Sequence, residues 1–285
     1  MVKFAYYPGN VARAASYEVE DCIQPLCSSL GIELVEIPKA TSDGGNVISQ
    51  ASPILQHALV ARNMALAENM GLDIMTTCAS SHGIHCDTIN LMKTDKVKNS
   101  KINSVLSQVS QIEFIGESKS RHLLHILVED IGLEKISSLV KNPIRLKIAG
   151  YYGPNMQKKG ACSKDNVFNP TYLEQLIIAL GGVPVEYDLK CQSVGAPALL
   201  TNQSSVLKMT AAVLSEAKEN GAQLMVSSCT LSHANLDTYQ IKARRKTGKD
   251  TTLPVIHLAE LVAFALGHHK DRFALLKTRA LIIGG

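Results

Sequence analysis

The chain has 285 residues, 46% of them hydrophobic and 5% aromatic with no Trp, and a formal net charge of +4. That length suits two domains of ordinary size, each able to bury a core, and so few aromatic residues give no support to a base-stacking nucleic-acid surface. No apolar run reaches the roughly 18 residues that span a bilayer, and Met1 to Ala15 lacks the apolar stretch of a secretion signal, so a cytoplasmic protein with no direct membrane insertion is expected.

In chain order, apolar runs predict strands at 3–7, 32–37, 72–77 and 111–115, with helical periodicity at 13–30, 52–70, 81–93 and 119–131. The alternation then returns, with strands at 145–151, 183–187, 222–227 and 253–256 and helices at 168–181, 203–220, 232–246 and 257–267. Strand and helix in turn favour a mainly parallel sheet flanked by helices. Short unbroken apolar runs such as LDIMTT and QLMVSS fit strands buried on both faces.

The second half repeats the first. Residues 68–82 read ENMGLDIMTTCASSH and residues 219–233 read ENGAQLMVSSCTLSH, an ungapped match that sets Cys78 opposite Cys229. Each half opens on a strand into a Pro/Gly turn, KFAYYPGN and KIAGYYGPN, and continues through LGIELVEIP or LGGVPVEYD. Each closes on a helix that starts at a His-Leu pair, at His122 and His257. A period this long describes duplicated domains rather than a solenoid. The expected fold is α/β, two tandem duplicated domains at 1–143 and 144–285 related by pseudo-twofold symmetry.

Seven cysteines, at 22, 27, 78, 86, 162, 191 and 229, match no secreted disulfide framework and read as reduced thiols. Cys22 and Cys27 lie in an amphipathic stretch as small buried hydrophobes. Cys78 and Cys229 stand at the carboxyl end of a strand and the start of a helix, where open α/β sheets place ligands and where helix amides stabilise a thiolate. The plainer reading is that Ser80, Ser81 or Ser232 cap the helices and the cysteines merely pack.

His82 and His233, each four residues after its cysteine, are candidate proton partners for these thiolates or backbone tethers. Cys78, His82, His85 and Cys86 form a C-x3-H-x2-H-C pattern that zinc could accept, although no metal is expected. Cys191 is a candidate disulfide partner for Cys229. His122 and His257 either line the surface between the domains or cap their own helices. Basic runs at 92–101 and 242–249 read as solvated loops or as a docking face for an acidic partner. No nucleotide-binding glycine motif, paired-carboxylate or G-x-S-x-G signature is present.

YYPG, LGIELVEIP, ARNMALAEN-MGLDIM, YYGPN and NPTYLEQLIIALGGVPVEYD together resemble the cysteine-rich CCG domains of the B-type subunit of heterodisulfide reductase, over essentially the whole chain. The resemblance implies five cysteines per domain: one after the first turn, an adjacent pair before a Gly, and a terminal C-x-x-C. These hold an iron-sulfur cluster that cleaves a disulfide. The matching positions here are Asn10, Ser42, Asp43, Cys78 and Ser81, then Pro154, Ser193, Val194, Cys229 and Ser232, so only Cys78 and Cys229 keep a thiol.

Serine, proline and valine do not replace the thiolates of such a cluster. The expectation is therefore a component of a redox complex, similar to the B-type subunit of heterodisulfide reductase, that has lost its clusters and serves as a scaffold. It would dock beside iron-sulfur and flavin subunits as a hetero-oligomer, or form a homodimer. The sequence leaves open whether it is catalytic. The alternative is an enzyme handling disulfide, persulfide or lipoyl sulfur through Cys78 or Cys229. No cofactor is expected, with an iron-sulfur cluster or zinc as the alternatives.

Overall fold

The computed structural model describes residues 2–9, 11–158 and 163–268; Asn10 and Cys162 lie outside the described residues. In the N-terminal half, β1 (Val2–Tyr7), β2 (Ile32–Glu36), β3 (Ile74–Thr76) and β4 (Ser120–His122) form one sheet. In the C-terminal half, β5 (Lys147–Tyr151), β6 (Val183–Val185), β7 (Leu224–Ser227) and β8 (Val255–His257) form another. Every pairing is parallel, and the strand orders, β2-β1-β3-β4 and β6-β5-β7-β8, are the same.

The helices of the first half are α1 (Tyr17–Leu30), α2 (Ile48–Ala51), α3 (Pro53–Glu68), α4 (Ala79–Thr94), α5 (Lys96–Ser110), α6 (Leu123–His125) and α7 (Leu133–Ser138). Those of the second are α8 (Tyr172–Ala179), α9 (Gln203–Glu219), α10 (Thr230–Thr238), α11 (Gln240–Thr247) and α12 (Leu258–Ala265). The fold class read from the sequence is the one observed.

Side-chain spacing explains these elements. α1 buries Val19, Cys22, Ile23, Leu26, Cys27 and Leu30, a stripe at intervals of three and four, and Gly31 ends it in the left-handed conformation. Helices cover both faces of each sheet, so every residue of β3 and β7 is buried. The two sheets do not bury wholly separate cores. One apolar cluster joins Leu26 and Leu30 of α1 to Leu176 and Ile177 of α8 and Leu258 and Leu261 of α12. At about 2 kcal/mol for each fully buried Leu or Ile, this shared layer binds the halves together.

Three stretches differ from the sequence reading. Residues 111–115 are not a strand: the Glu68 carboxylate accepts the amides of Ile115, Gly116, Glu117 and Ser118 at 2.6–3.1 Å, so this backbone answers to a side chain instead of a ladder. The fourth strand lies at Ser120–His122, inside the helix expected over 119–131. That helix starts only at Leu123, because His122 has extended backbone and caps it, and residues Ile126–Ile131 are π-helical. Helix α5 is absent from the sequence reading although Ile102, Val105, Leu106 and Val109 recur at helical spacing, and only Ile102 and Leu106 of it are buried; Asp95, which accepts the Lys98 amide at 3.0 Å, marks its start. The basic runs lie on or beside α5 and α11 rather than in loops.

Both sheets reverse their winding between the first and third strands, and such a switch point opens a crevice at the carboxyl ends. Tyr7 pairs there with Thr76, and Tyr151 with Ser227. The chain leaves these strands through Pro8–Gly9 and Thr77–Cys78 in one half, and through Tyr152–Gly153 and Ser228–Cys229 in the other.

Candidate functional site

Each cysteine is the N-cap residue of its helix, with extended backbone (φ −113°, ψ 110° at Cys78; φ −133°, ψ 120° at Cys229). The hydroxyls before it hold it there. Thr76 Oγ1 accepts the Cys78 amide and Ser227 Oγ accepts the Cys229 amide, both at 3.2 Å. Ser228 Oγ donates to the Tyr151 and Tyr152 carbonyls at 3.3 and 3.2 Å, and Thr77 Oγ1 to the Pro8 carbonyl at 3.3 Å. The Thr-Thr-Cys and Ser-Ser-Cys runs thus stitch the two switch-point loops together in each half.

The two sulfurs do not face separate pockets. Cys78 Sγ lies 3.9 Å from Cys229 Sγ across the seam between the halves, and both residues are at most 2% exposed. Ser80 Oγ sits 3.2 Å from Cys229 Sγ and accepts Asn155 Nδ2 at 3.3 Å, which leaves its proton for the sulfur. Asn155 can reach Ser80 because α4 carries Gly83 beside it, where a Cβ would come within 3.0 Å of Asn155. The hydrogen bond from Cys78 pulls the Cys229 thiol below its ordinary pKa against the opposing effect of burial, and Ser80 and Ser232 add to the pull. Donating that bond and being buried push Cys78 up. The opposite directions of the two shifts make these thiols a coupled pair that titrates together.

His122 and His257 cross the same seam reciprocally. His122 Nε2 donates to the Ser228 carbonyl at 2.8 Å, and His257 Nε2 to the Thr77 carbonyl at 2.9 Å. The other ring nitrogen of each caps its own helix, His122 Nδ1 accepting the Leu124 amide and His257 Nδ1 the Ala259 amide, both at 3.1 Å. The two roles considered from sequence are therefore both filled. A ring that donates from one nitrogen and accepts at the other is neutral. Burial agrees, lowering His122 to about 4 and His257 well below its ordinary value. Exchange of equivalent contacts is the mark of a twofold relation.

The histidines that follow the cysteines behave differently. His233 Nε2 lies 3.0 Å from Glu18 Oε1 of the other half. Burial alone would lower its pKa, but the Glu18 hydrogen bond and the charges of Glu260, Glu18 and Asp237 hold it above the ordinary value. His82 faces Ser120 Oγ at 3.3 Å and Cys86 Sγ at 3.7 Å, and its ring stands 5.8 and 5.3 Å from those of His122 and His125. The sulfurs of Cys78 and Cys229 meet each other, Ser80, Thr230, Ser232 and the Ser81 backbone.

Cys78, His82, His85 and Cys86 do not gather as metal ligands. Among the described residues, three or more such donor atoms come within 4.8 Å of one another only at Glu18, His233 and Glu260. Cys78 is turned to the seam by its capping position, whereas His85 Nδ1 meets Ser120 Oγ at 3.0 Å and its ring packs on Tyr7. Cys191 lines a cavity of about 600 Å³ with Tyr187, Asp188 and Gln192.

The positions that the resemblance assigns to a cluster carry other duties. Ser42 Oγ accepts the Gly44 amide and Ser193 Oγ the Gly195 amide, both at 3.0 Å. Asp43 Oδ1 accepts the Gly45 amide at 2.9 Å, Val194 is buried in an apolar cluster, and Pro154 starts a short 3-10 turn. With hydroxyls, a carboxylate and apolar side chains at these positions and only Cys78 and Cys229 keeping a sulfur, the residues present do not fit an iron-sulfur cluster, which needs several thiolates together. Ser80, Asn155, Glu18 and Glu260 were not read from the sequence as site residues. The duplication was the signal that could have found the sulfur contact, since a residue near a pseudo-twofold axis meets its own counterpart.

A duplicated parallel α/β fold with a cysteine at each equivalent strand end defines a class of paired-domain α/β proteins. The chain is 31% identical over 267 residues to the 8-methylmenaquinol:fumarate reductase membrane anchor subunit of Wolinella succinogenes, covering 93% of this chain and 92% of the relative. It is 30% identical over 282 residues to the B-type subunit of the ferredoxin:CoB-CoM heterodisulfide reductase of Methanosarcina mazei, covering 96% and 93%. A protein of Archaeoglobus profundus, named for its likeness to the same heterodisulfide reductase component, is 27% identical, covering 96% and 94%. The chain belongs to the family of heterodisulfide reductase B-type subunits. No protein-family model matches it. A crystal structure of a hypothetical protein from Helicobacter pylori shares the fold, with a TM-score of 0.75 at 15% identity over 97% of this chain and 51% of that one, so the chain spans about half the length of that neighbour.

Proposed function

We propose that this chain is a B-type component of a cytoplasmic heterodisulfide-reductase-like redox complex that has lost its iron-sulfur clusters and acts as a docking scaffold beside iron-sulfur and flavin subunits. One observation carries the reading: the two remaining cluster-position sulfurs, Cys78 and Cys229, lie against each other across the seam, 3.9 Å apart, while Ser42 and Ser193 bond to glycine amides. Relatives named as reductase subunits support membership of a multi-subunit assembly. One of them is named a membrane anchor subunit. No helix among the described residues of this chain is long and apolar enough to cross a membrane, so any attachment through these residues would run through a partner.

Iron and acid-labile sulfide analysis of freshly isolated full-length protein tests the reading. A colourless protein with far less than one iron per chain, co-purifying with iron-sulfur and flavin subunits, is the expected result. Brown protein with several irons per chain overturns it.

A further inference from the structure

We propose that Cys78 and Cys229 form a two-electron redox pair that closes to an intramolecular disulfide joining the two halves. The proposal rests on the cluster-free reading above, because both sulfurs must be available to each other. Their 3.9 Å separation is van der Waals contact, and a disulfide of about 2.05 Å requires them to close by roughly 2 Å. The approach is symmetric, since both residues are N-caps with matching extended backbone, so a small rotation of each side chain draws both sulfurs inward together. Two helix N-termini and the Ser80 hydroxyl favour a thiolate at this point.

Other described thiols are placed not to compete. Cys22 and Cys27 lie in the apolar face of α1, Cys86 adjoins His82, and Cys191 opens to a separate cavity. Burial pushes Cys27 up to about 12 and Cys191 up to about 11, which leaves both as unreactive thiols near neutral pH.

Access to the pair is through Gly9. A cavity of about 290 Å³ lies beside Tyr7, Pro8, Gly9 and Ser42. Gly9 lines this cavity and lies against Cys78: its φ is +90°, and a Cβ there would stand 2.7 Å from Cys78 Cβ and 3.4 Å from Cys78 Sγ. The reaction partner is a small disulfide admitted when this wall yields. The thiolate of the pair attacks one of its sulfurs, forming a mixed disulfide and releasing the first small thiolate. The second protein sulfur then displaces the other small thiol, which leaves with the pair's proton. The protein pair loses two electrons, and the external disulfide is reduced to one thiolate and one thiol.

The test uses the full-length reduced chain treated with glutathione disulfide, quenched in acid, alkylated and digested without reductant for mass spectrometry, with iron measured on the same sample. The expected product is one peptide linking Cys78 to Cys229, formed by most of the protein, reversed by dithiothreitol, and accompanied by a rise in Tm. C78S and C229S each abolish it while circular dichroism reports folded protein. Recovery of both cysteines reduced under conditions in which glutathione disulfide fully oxidises a small dithiol added to the same sample, or of Cys229 linked elsewhere, overturns the proposal even where iron is absent. Stoichiometric iron overturns the cluster-free reading instead. The redox titration of the unmutated chain decides the matter should either variant fail to fold.

Discussion

Helices α4 and α10 begin alike and part within one turn. Each starts at a capping cysteine, and each carries a histidine four residues later, yet His82 sits in a buried group with His122 and His125 whereas His233 pairs with Glu18. The positions that touch their own counterparts across the seam, Cys78 with Cys229 and His122 with His257 in exchanged contacts, have kept one chemistry. One turn away from that axis, each histidine meets a different neighbour. Duplication therefore constrains the axis and frees what lies beside it.

The strongest consequence concerns the axis itself. Linking Cys78 to Cys229 closes a loop of 151 residues, and chain entropy alone makes the oxidised form more stable by roughly 5 kcal/mol. Denaturant unfolding of oxidised and reduced protein checks this; equal midpoints would mean that the sulfurs do not tie the halves together.

Replacement of His257 or His122 by Ala follows, at roughly 3 kcal/mol each. It strands the Thr77 or Ser228 carbonyl in the seam, removes a helix cap and leaves a void. Because the two contacts are equivalent, the single costs should agree within about 1 kcal/mol. A large asymmetry in urea midpoints would show that the halves are not equivalent at the axis.

Acid separates the axis from its flanks. The pKa of His122 is depressed to about 4, so the unfolded state binds the extra proton first. Its contribution is intact above the unfolded value of about 6.5 and falls by roughly 3 kcal/mol as pH drops through that window toward 4. His233 runs the other way: its pKa is raised, so the stability it gains from Glu18 is present below the unfolded value and is lost as pH rises through the folded one. Glu18→Gln should abolish that alkaline loss and leave the acid loss in place, as pH-dependent urea midpoints would show. Loss of both limbs together would merge the two histidine classes.

Gly9→Ala is the mildest change. Its Cβ meets Cys78 and its φ is +90°, so about 2 kcal/mol of strain is expected, with slower disulfide formation than in the unmutated chain. An unchanged rate of closure would remove Gly9 as the wall beside the pair.

Much of this architecture is legible in the chain. The strands β1, β3, β5 and β7 are short, mostly apolar runs, and the offset of 151 locates Cys78 and Cys229 at equivalent strand ends. What escapes is set at long range. Nothing local announces that Glu68 will collect four amides 47 to 50 residues away, so the apolar run around Phe114 reads as a strand. Helical offsets put Cys78, His82 and His85 on one face in projection. The capping geometry of Cys78 and the separate contacts of His85 with Tyr7 and Ser120 then aim them apart. Glu18 becomes the partner of His233 through a contact 215 residues long that no motif marks.

Whether the sulfurs of the two halves share one proton can be read from ultraviolet titration of thiolate absorbance in the unmutated chain, C229A and C78A. A thiolate should be present near neutral pH in the unmutated protein, disappear in C229A, and titrate at a clearly higher pH in C78A. A C78A curve that superimposes on the unmutated one would show that the sulfurs titrate independently and that no such pair exists.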